Sequence, residues 1–440
     1  MTIRFDGFPK KYRSVVRGKT PSDAGYSWGL QSRQVARDTI GKLSLDTESK
    51  RFVSRSLAYM KSVATGGIFT YGGVNYLARY MDTFNGFCSG AGIDELQCAA
   101  AQMELGIGCQ TVFAQNDTGS VNFFHMEENV DDGDITRMYW NAQSGYKPSS
   151  IENNRPTPSY NYRIVDWKVP GEDLLFFSYP GLATGGASMG VNNKTGSIVV
   201  VDTINPLSPA GLFWHNALAS MIFSAGTISA LRFFSTRLQS CIPDSNGFSG
   251  GYAIHMLESS GAMMSLEFGG SFIKVLYPQR DGKNRFIAQT NYPRSRSLKN
   301  TDKYSKKQSE TEGATAKSVH LAMSARARTR RLVRCAKTIY PTNSNDLENL
   351  RRIHHTLYAF QGDWEQSSDS YVSNGVFSIY VAAYLTGICN RGNCIVVFHA
   401  PVLGTKPISR YQWWPLGKKL PWGRDLYSDA EKKLRQLRTK

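Results

Sequence analysis

Helical and strand-like stretches alternate in blocks along this chain, which predicts an α+β fold of layered sheets with helices outside them. Three observations carry that expectation. The first hundred residues read mostly as helix, and from Cys109 onward the pattern changes to strands and hairpins. A second helical block and a second strand block follow. The 440 residues are 41% hydrophobic and only 20% charged, enough for a sizeable core and unlike a disordered, collagenous or coiled-coil chain.

Taken in order, residues 31–43, 54–63 and 74–81 are predicted helices, the last two separated by Gly66-Gly67 and Gly72-Gly73. Residues 93–105 form a fourth, with Asp94 and Glu95 in its first turn and Gly106 as its stop. Strands 109–115 and 120–127 are joined by the turn Asn116-Asp117-Thr118-Gly119. A hairpin over 190–203 has Asn193-Lys194-Thr195-Gly196 at its tip. Residues 209–238 read as helical, and 251–257, 263–267 and 272–277 as strands that turn at Ser259-Ser260-Gly261. The segment 294–318 is rich in Lys, Ser and Thr and reads as a surface loop. Helices over 319–337 and 345–359 and strands over 376–385 and 394–398 close the fold.

Residues 1–19 lack the apolar core of a signal peptide, and no stretch reaches the roughly 18 apolar residues of a membrane span. The expectation is a soluble, cytoplasmic protein. Seven scattered cysteines do not suggest a disulfide framework. Cys389, Cys394 and His399 could contribute to a zinc site, but no fourth ligand stands nearby, so no metal or cofactor is expected. The glycine-rich stretch 185–190 lacks the Gly-Lys-Ser/Thr ending of a phosphate cradle.

A net charge of +17 raises the question of a polyanionic partner. The excess sits in three places: residues 1–20 carry a net +5, 294–337 a net +10 and 418–440 a net +5. The rest of the chain is slightly acidic. Arg326, Arg328, Arg330, Arg331 and Arg334 spread over a broad surface of one predicted helix with no aromatic among them, the pattern of a solvated face rather than a base-stacking one. An anionic partner could meet the basic termini and loop.

Chemistry concentrates around Gly108-Cys109. A glycine-bracketed linker, Gly106-Ile107-Gly108, delivers a cysteine to the first position of a strand. The returning strand carries His125, Glu127 and Glu128, and a carboxylate at its end could hold a cationic amine near the sulfur. A run of short motifs from about Gly18 to His399 adds to this. They are Asp23-Ala24-Gly25-Tyr26-Ser27-Trp28-Gly29, Gly108-Cys109, Phe124-His125-Met126-Glu127-Glu128, the hairpin from Gly190 to Gly196, Asn216-Ala217-Leu218, Ser265-Leu266-Glu267-Phe268, Thr290-Asn291-Tyr292 and Arg328-Thr329-Arg330-Arg331-Leu332. In order and spacing they resemble the acyl-CoA:6-aminopenicillanic acid acyltransferase (isopenicillin N acyltransferase) family of N-terminal nucleophile hydrolases.

That resemblance implies a four-layer αββα sandwich made as a precursor and cut at Gly108–Cys109. It divides the chain into a helical segment 1–108, which could be released as a small subunit, a catalytic domain 109–410 and a basic tail 411–440. Cys109 would be the nucleophile, with its freed α-amine as base. Asn291 would hold the amine or donate to the oxyanion, with Asn205 a second donor and Asn193 a weaker one. Glu128 aligns as the carboxylate, although a one-residue slip would present Glu127. His125 keeps its place in the motif, and Arg328 or Arg331 would meet a substrate carboxylate. The expected activity is amidohydrolase or acyltransferase on a small linear amide or acyl donor. Gln110, Phe124, Met126, Glu128 and Tyr292 depart from the family pattern and bear on the substrate. The competing expectation is an uncleaved, inactive relative that binds nucleic acid or another polyanion.

Overall fold

In a computed structural model, the described residues are 1–6, 13–42, 45–103, 109–116, 119–130, 163–178, 189–204, 211–242, 247–282, 284–290, 292–296, 329, 332–334, 336–337, 379–390 and 392–399. They form a mixed α and β structure. In chain order the elements begin with β1 (Thr2–Asp6), β2 (Arg13–Arg17), α1 (Pro21–Thr39), α2 (Thr47–Thr65), β3 (Thr70–Tyr71), β4 (Val74–Asn75), α3 (Tyr76–Ala91) and α4 (Glu95–Gln102). Then come β5 (Cys109–Gln115), β6 (Val121–Val130), β7 (Arg163–Val169), β8 (Glu172–Ser178), β9 (Met189–Asn192) and β10 (Ser197–Ile204). After α5 (His215–Ala225) and α6 (Ile228–Cys241) follow β11 (Phe248–Glu258), β12 (Met263–Gly270), β13 (Phe272–Leu276), β14 (Gln279–Asp281), β15 (Asn284–Gln289), β16 (Ile379–Asn390) and β17 (Asn393–His399). Among the described residues no helix is long and apolar enough to cross a membrane.

Two large sheets organise these strands. One runs β1-β17-β16-β6-β5-β15-β14, the other β13-β12-β11-β10-β9-β8-β7-β2. Alternation along the second sheet sends side chains to two different cores. Ile198 and Val200 of β10, with Leu175 and Phe177 of β8, join Phe113, Phe123 and Phe398 of the first sheet in one apolar layer between the sheets. Val199 and Val201, with Leu174 and Phe176, instead meet Trp28, Phe84, Phe87, Trp214 and Phe234 from the helices. The order seen is therefore helices, eight-stranded sheet, seven-stranded sheet. Further helical residues touch the first sheet through Thr329, whose hydroxyl lies 2.8 Å from that of Thr290, and through Lys337, 3.7 Å from Asp281.

Local chemistry accounts for the helix boundaries. Thr20 caps α1 by accepting from the Asp23 N–H while Asp23 accepts from the Thr20 N–H, and Pro21 occupies the first turn. Asp46, Asn75, Asp94 and Thr227 cap α2, α3, α4 and α6 in the same side-chain-to-backbone manner. Helix α1 begins at Pro21, well before the predicted start at residue 31. Its early turns contain Gly25 and Gly29, poor helix formers, and α3 contains Gly86 and Gly90. A methyl on Gly25 would overlap the Thr83 carbonyl, and one on Gly86 the Ser22 carbonyl. The four glycines let the two helix backbones touch, which gives a packing reason for the motif around Gly25 and Gly29.

The expectation of a helical first hundred residues is corrected at four strands. Strands β1 and β2 are parallel edges of the two sheets, paired with β17 and β7. Strands β3 and β4 form a small hairpin whose turn residues Gly72 and Gly73 both have positive φ (57° and 82°), so α3 starts at Tyr76 rather than at residue 74. The hairpin β7–β8 and the strand β15 were not predicted. Helices α1 to α4 share a core with β7, β8, β10, β11 and β12. Arg79 of α3 bonds Glu172 at 2.6 Å, and Glu172 also accepts from Trp167 Nε1 at 3.0 Å. The predicted helix 345–359, most of 319–337 and the tail 411–440 lie outside the described residues. Cys389 and Cys394, considered for zinc, are bonded to each other across the β16–β17 hairpin.

Candidate functional site

Cys109 opens β5 as predicted, and its residue is 3% exposed. Strand β5 lies between β6 and β15. On one side Glu127 is the ladder partner of Cys109, while Glu128 pairs with Val381 of β16. On the other side β15 runs antiparallel, with Gln289 opposite Thr111. The chain then passes through Thr290 and Tyr292, which bridge each other around position 291. Gly108, Asn205, Asn291, Arg328 and Arg331 lie outside the described residues. Upstream, Asn216 Nδ2 donates to the Gln102 carbonyl at 2.9 Å and pins the end of the helix that leads toward the junction.

His125 is fully buried directly opposite Thr111, with Nδ1 2.8 Å from the Thr111 hydroxyl. Its Nδ1 is also 3.6 Å from Asp202 Oδ1. Asp202 lies on β10, in step with Ile198 and Val200, where the inter-sheet face turns from apolar to polar. Its other oxygen, Oδ2, is 2.9 Å from His255 Nε2 on β11. His255 Nδ1 is 2.8 Å from Ser265 Oγ on β12, and Ser265 Oγ accepts from Arg294 Nη1 at 3.1 Å. Burial pushes the His255 pKa below its ordinary value, outweighing the pull of Asp202 and Glu267. Arg294 is likewise pushed down by burial, against the pull of Glu267.

Glu267, two residues on from Ser265, completes the arrangement. Its carboxylate is fully buried and accepts from Gln289 Nε2 at 2.7 Å, from the Arg294 N–H and from the Ser295 N–H at 2.8 Å. It thus clamps the chain on both sides of the 290–292 bridge. A polar path runs from His125, beside β5 on one flank, across a 3.6 Å approach to Asp202 and through the second sheet to Gln289, beside β5 on the other. Such a path is costly to bury unless each member is satisfied, so it marks this end of the inter-sheet layer as specialised.

Asn193 does not join this group. It sits at the β9–β10 tip, where its Nδ2 donates to Asp173 Oδ1 at 2.8 Å. Ser197 and Asp202, toward opposite ends of β10, are roughly 17 Å apart along the strand, and Asn193 lies beyond Ser197. Asn193, named as a weaker donor and substrate-binding candidate, thus makes a hairpin-tip hydrogen bond away from this group.

Sequence reasoning missed Asp202, His255 and Arg294, and it named Ser265 and Glu267 only as parts of a motif. The legible signal was polar residues interrupting apolar strands: Asp202 directly after the run Ile198–Val201 in β10, and His255 between Ile254 and Met256 in β11. Comparison with models of known protein families gives no match, and comparison with curated proteins gives none either.

Proposed function

We propose that this chain is a cysteine amidohydrolase or acyltransferase of the N-terminal nucleophile type, cut at Gly108–Cys109 to free its own nucleophile. The observation that carries the reading is the setting of Cys109. A buried thiol begins an inner strand, a carboxylate-bearing strand lies on one flank, and a polar-clamped turn lies on the other. Two face-packed sheets with helices outside them suit the four-layer αββα architecture of that class.

In this mechanism the freed α-amine takes the thiol proton, since its reference pKa of about 7.7–8 suits a base near neutrality. The thiolate attacks the substrate carbonyl and forms an acyl-enzyme on Cys109. Water or an amine then receives the acyl group. Asn291, two residues past Gln289 at the end of β15, serves as the amine or oxyanion ligand. Glu127 rather than Glu128 becomes the carboxylate for the cationic amine, because it is the ladder partner of Cys109. Asn205, which follows the end of β10, serves as the second donor. Arg328 or Arg331 meets the substrate carboxylate. The substrate class is a small linear amide or acyl donor, and the chemistry requires no cofactor. A cytoplasmic setting would keep Cys389 and Cys394 reduced. Their pair lies opposite Val121, at the other end of β6 from Glu127, so the site does not depend on it.

Intact-mass measurement tests the reading. Purified wild type should give pieces of about 12 and about 37 kDa in proportion to length, and Cys109→Ala should remain whole at 49.0 kDa. A wild-type chain that stays whole would remove the basis for it.

A further inference from the structure

Two sheet edges meet at one border of the sandwich. Among the described residues β14 ends the seven-stranded sheet and β13 the eight-stranded one, and only Tyr277 and Pro278 separate them in the chain. Their neighbours β15 and β12 meet through Gln289 and Glu267 at 2.7 Å, so both edges lie on the same side. From Phe268 to Arg296 the chain carries six basic residues and one acidic one. Helix α6, which packs beside β13, carries Arg232 and Arg237 and no acid. The single acid, Asp281, already faces a cation, Lys337 Nζ at 3.7 Å.

Alternation decides where the arginines of this border point. Ile287 belongs to the apolar layer between the sheets, and Gln289 reaches Glu267 across it. Arg285 is in step with them on the inter-sheet face, and Arg280 is its ladder partner on β14. Both are exposed, because this is the rim of the layer. Among the described residues no carboxylate pairs with either. Like charges directly opposite each other destabilise a ladder. An anion between the two guanidiniums removes that repulsion, and their planar forks suit the oxygens of a phosphate.

Tyr277 adds an aromatic to the same border, and it is 64% exposed. Arg294 Nη2 donates to its carbonyl at 3.0 Å and fixes its backbone. The Arg232 guanidinium lies over its ring, 5.6 Å from the centroid, in a cation–π contact. A ring backed by a guanidinium and still open to solvent is the setting of a base-stacking platform. Tyr277 and Arg280 are three residues apart, roughly 10 Å of extended chain.

We propose that this border binds single-stranded nucleic acid, with a phosphate between Arg280 and Arg285 and a base stacked on Tyr277. Charge complementarity carries the partner class. The exposed ring selects unpaired bases, since those of a duplex stack on one another. Phosphate and stacking contacts make the binding tolerant of sequence. The inference does not rest on the Cys109 reading. Phe286, beside Arg285, is level with Ala114, five residues from Cys109 and roughly 17 Å along β5.

Fluorescence anisotropy with a labelled oligouridylate of about 16 nucleotides tests the proposal on the purified full-length protein. Wild type should bind, and its affinity should fall as salt rises from about 50 to about 200 mM. Arg280→Ala with Arg285→Ala should weaken binding about 10-fold or more and reduce the salt slope by about 0.7, one phosphate contact. Tyr277→Ala should weaken it about 5-fold or more. Lys50→Ala with Arg51→Ala removes two exposed cations of α2, the same charge, and should leave affinity within about 2-fold. A wild type that does not bind, equal losses in the two double variants, or a Tyr277→Ala protein that binds like wild type overturns the proposal. So does a base-paired duplex or an anionic lipid vesicle that binds while the single strand does not. Thermal unfolding checks each variant. Should one not fold, ultraviolet crosslinking of wild type to a thiouridine oligonucleotide decides it. The adduct should fall within Val275–Arg280, and adducts found only elsewhere overturn the assignment.

Discussion

Glu267 shows how much one buried side chain can organise. It satisfies two backbone N–H groups and one side-chain amide and lies beside the buried Arg294. Glu267→Ala leaves three donors without this acceptor and removes the carboxylate whose charge attracts the buried guanidinium, so it should cost about 3–5 kcal/mol in urea unfolding. His255 makes a pH prediction at the same scale. Its folded pKa is lowered by burial, so below its ordinary 6.5 the unfolded chain binds more protons than the folded one. Its contribution to stability is whole above about pH 6.5 and is lost as pH falls through the lowered folded value. His255→Gln should flatten that part of the stability profile, read from unfolding midpoints between about pH 7 and about pH 5. Neither residue was legible as a site residue. A single Glu or His inside a strand looks the same in sequence whether it faces solvent or a network, and only the pairing of β10, β11 and β12 brings the partners together.

At the scale of elements, the α1–α3 crossing is the most exposed to test. Gly86→Val places its side chain on the Ser22 carbonyl and should cost about 3 kcal/mol. Gly41→Ala, whose methyl would meet nothing nearer than 3.8 Å, should stay within about 1 kcal/mol of wild type. Denaturant midpoints of the two variants compare them directly. The same glycines explain why the start of α1 was misread. Thr20, Pro21 and Asp23 spell a helix start, but Gly25 and Gly29 argue against a helix until their partner helix is known. Strand β5 was legible to the residue, because glycines bracket its start and a turn ends it. The β7–β8 hairpin was not, because Leu174–Phe177 is buried on both faces of its sheet and shows no alternation, although Pro170-Gly171 marks its turn. Closing so short a loop, the Cys389–Cys394 bond should contribute about 2 kcal/mol, lost when a reductant is added.

The whole molecule sets what a cut at Gly108 would do. Residues before the junction supply an edge strand to each sheet and four helices to a shared core. Both pieces should therefore co-elute in size exclusion as one particle and separate only when denatured. Sequence alone foresaw layered sheets with outer helices. It did not foresee the interleaving of the first segment with both sheets, since parallel pairing of β1 with β17 spans nearly the whole chain and leaves no local signal. The charge excess in the termini and the 294–337 segment leaves most of the inter-sheet site outside it, Arg294 being the exception.

The central claim is that Cys109 becomes a chain terminus. A cyanobenzothiazole probe condenses with a cysteine that has a free α-amine and not with an internal one. Applied to the purified protein and read by mass, it should add one label to the piece of about 37 kDa and none to Cys109→Ala. An unlabelled chain of 49.0 kDa would contradict the account.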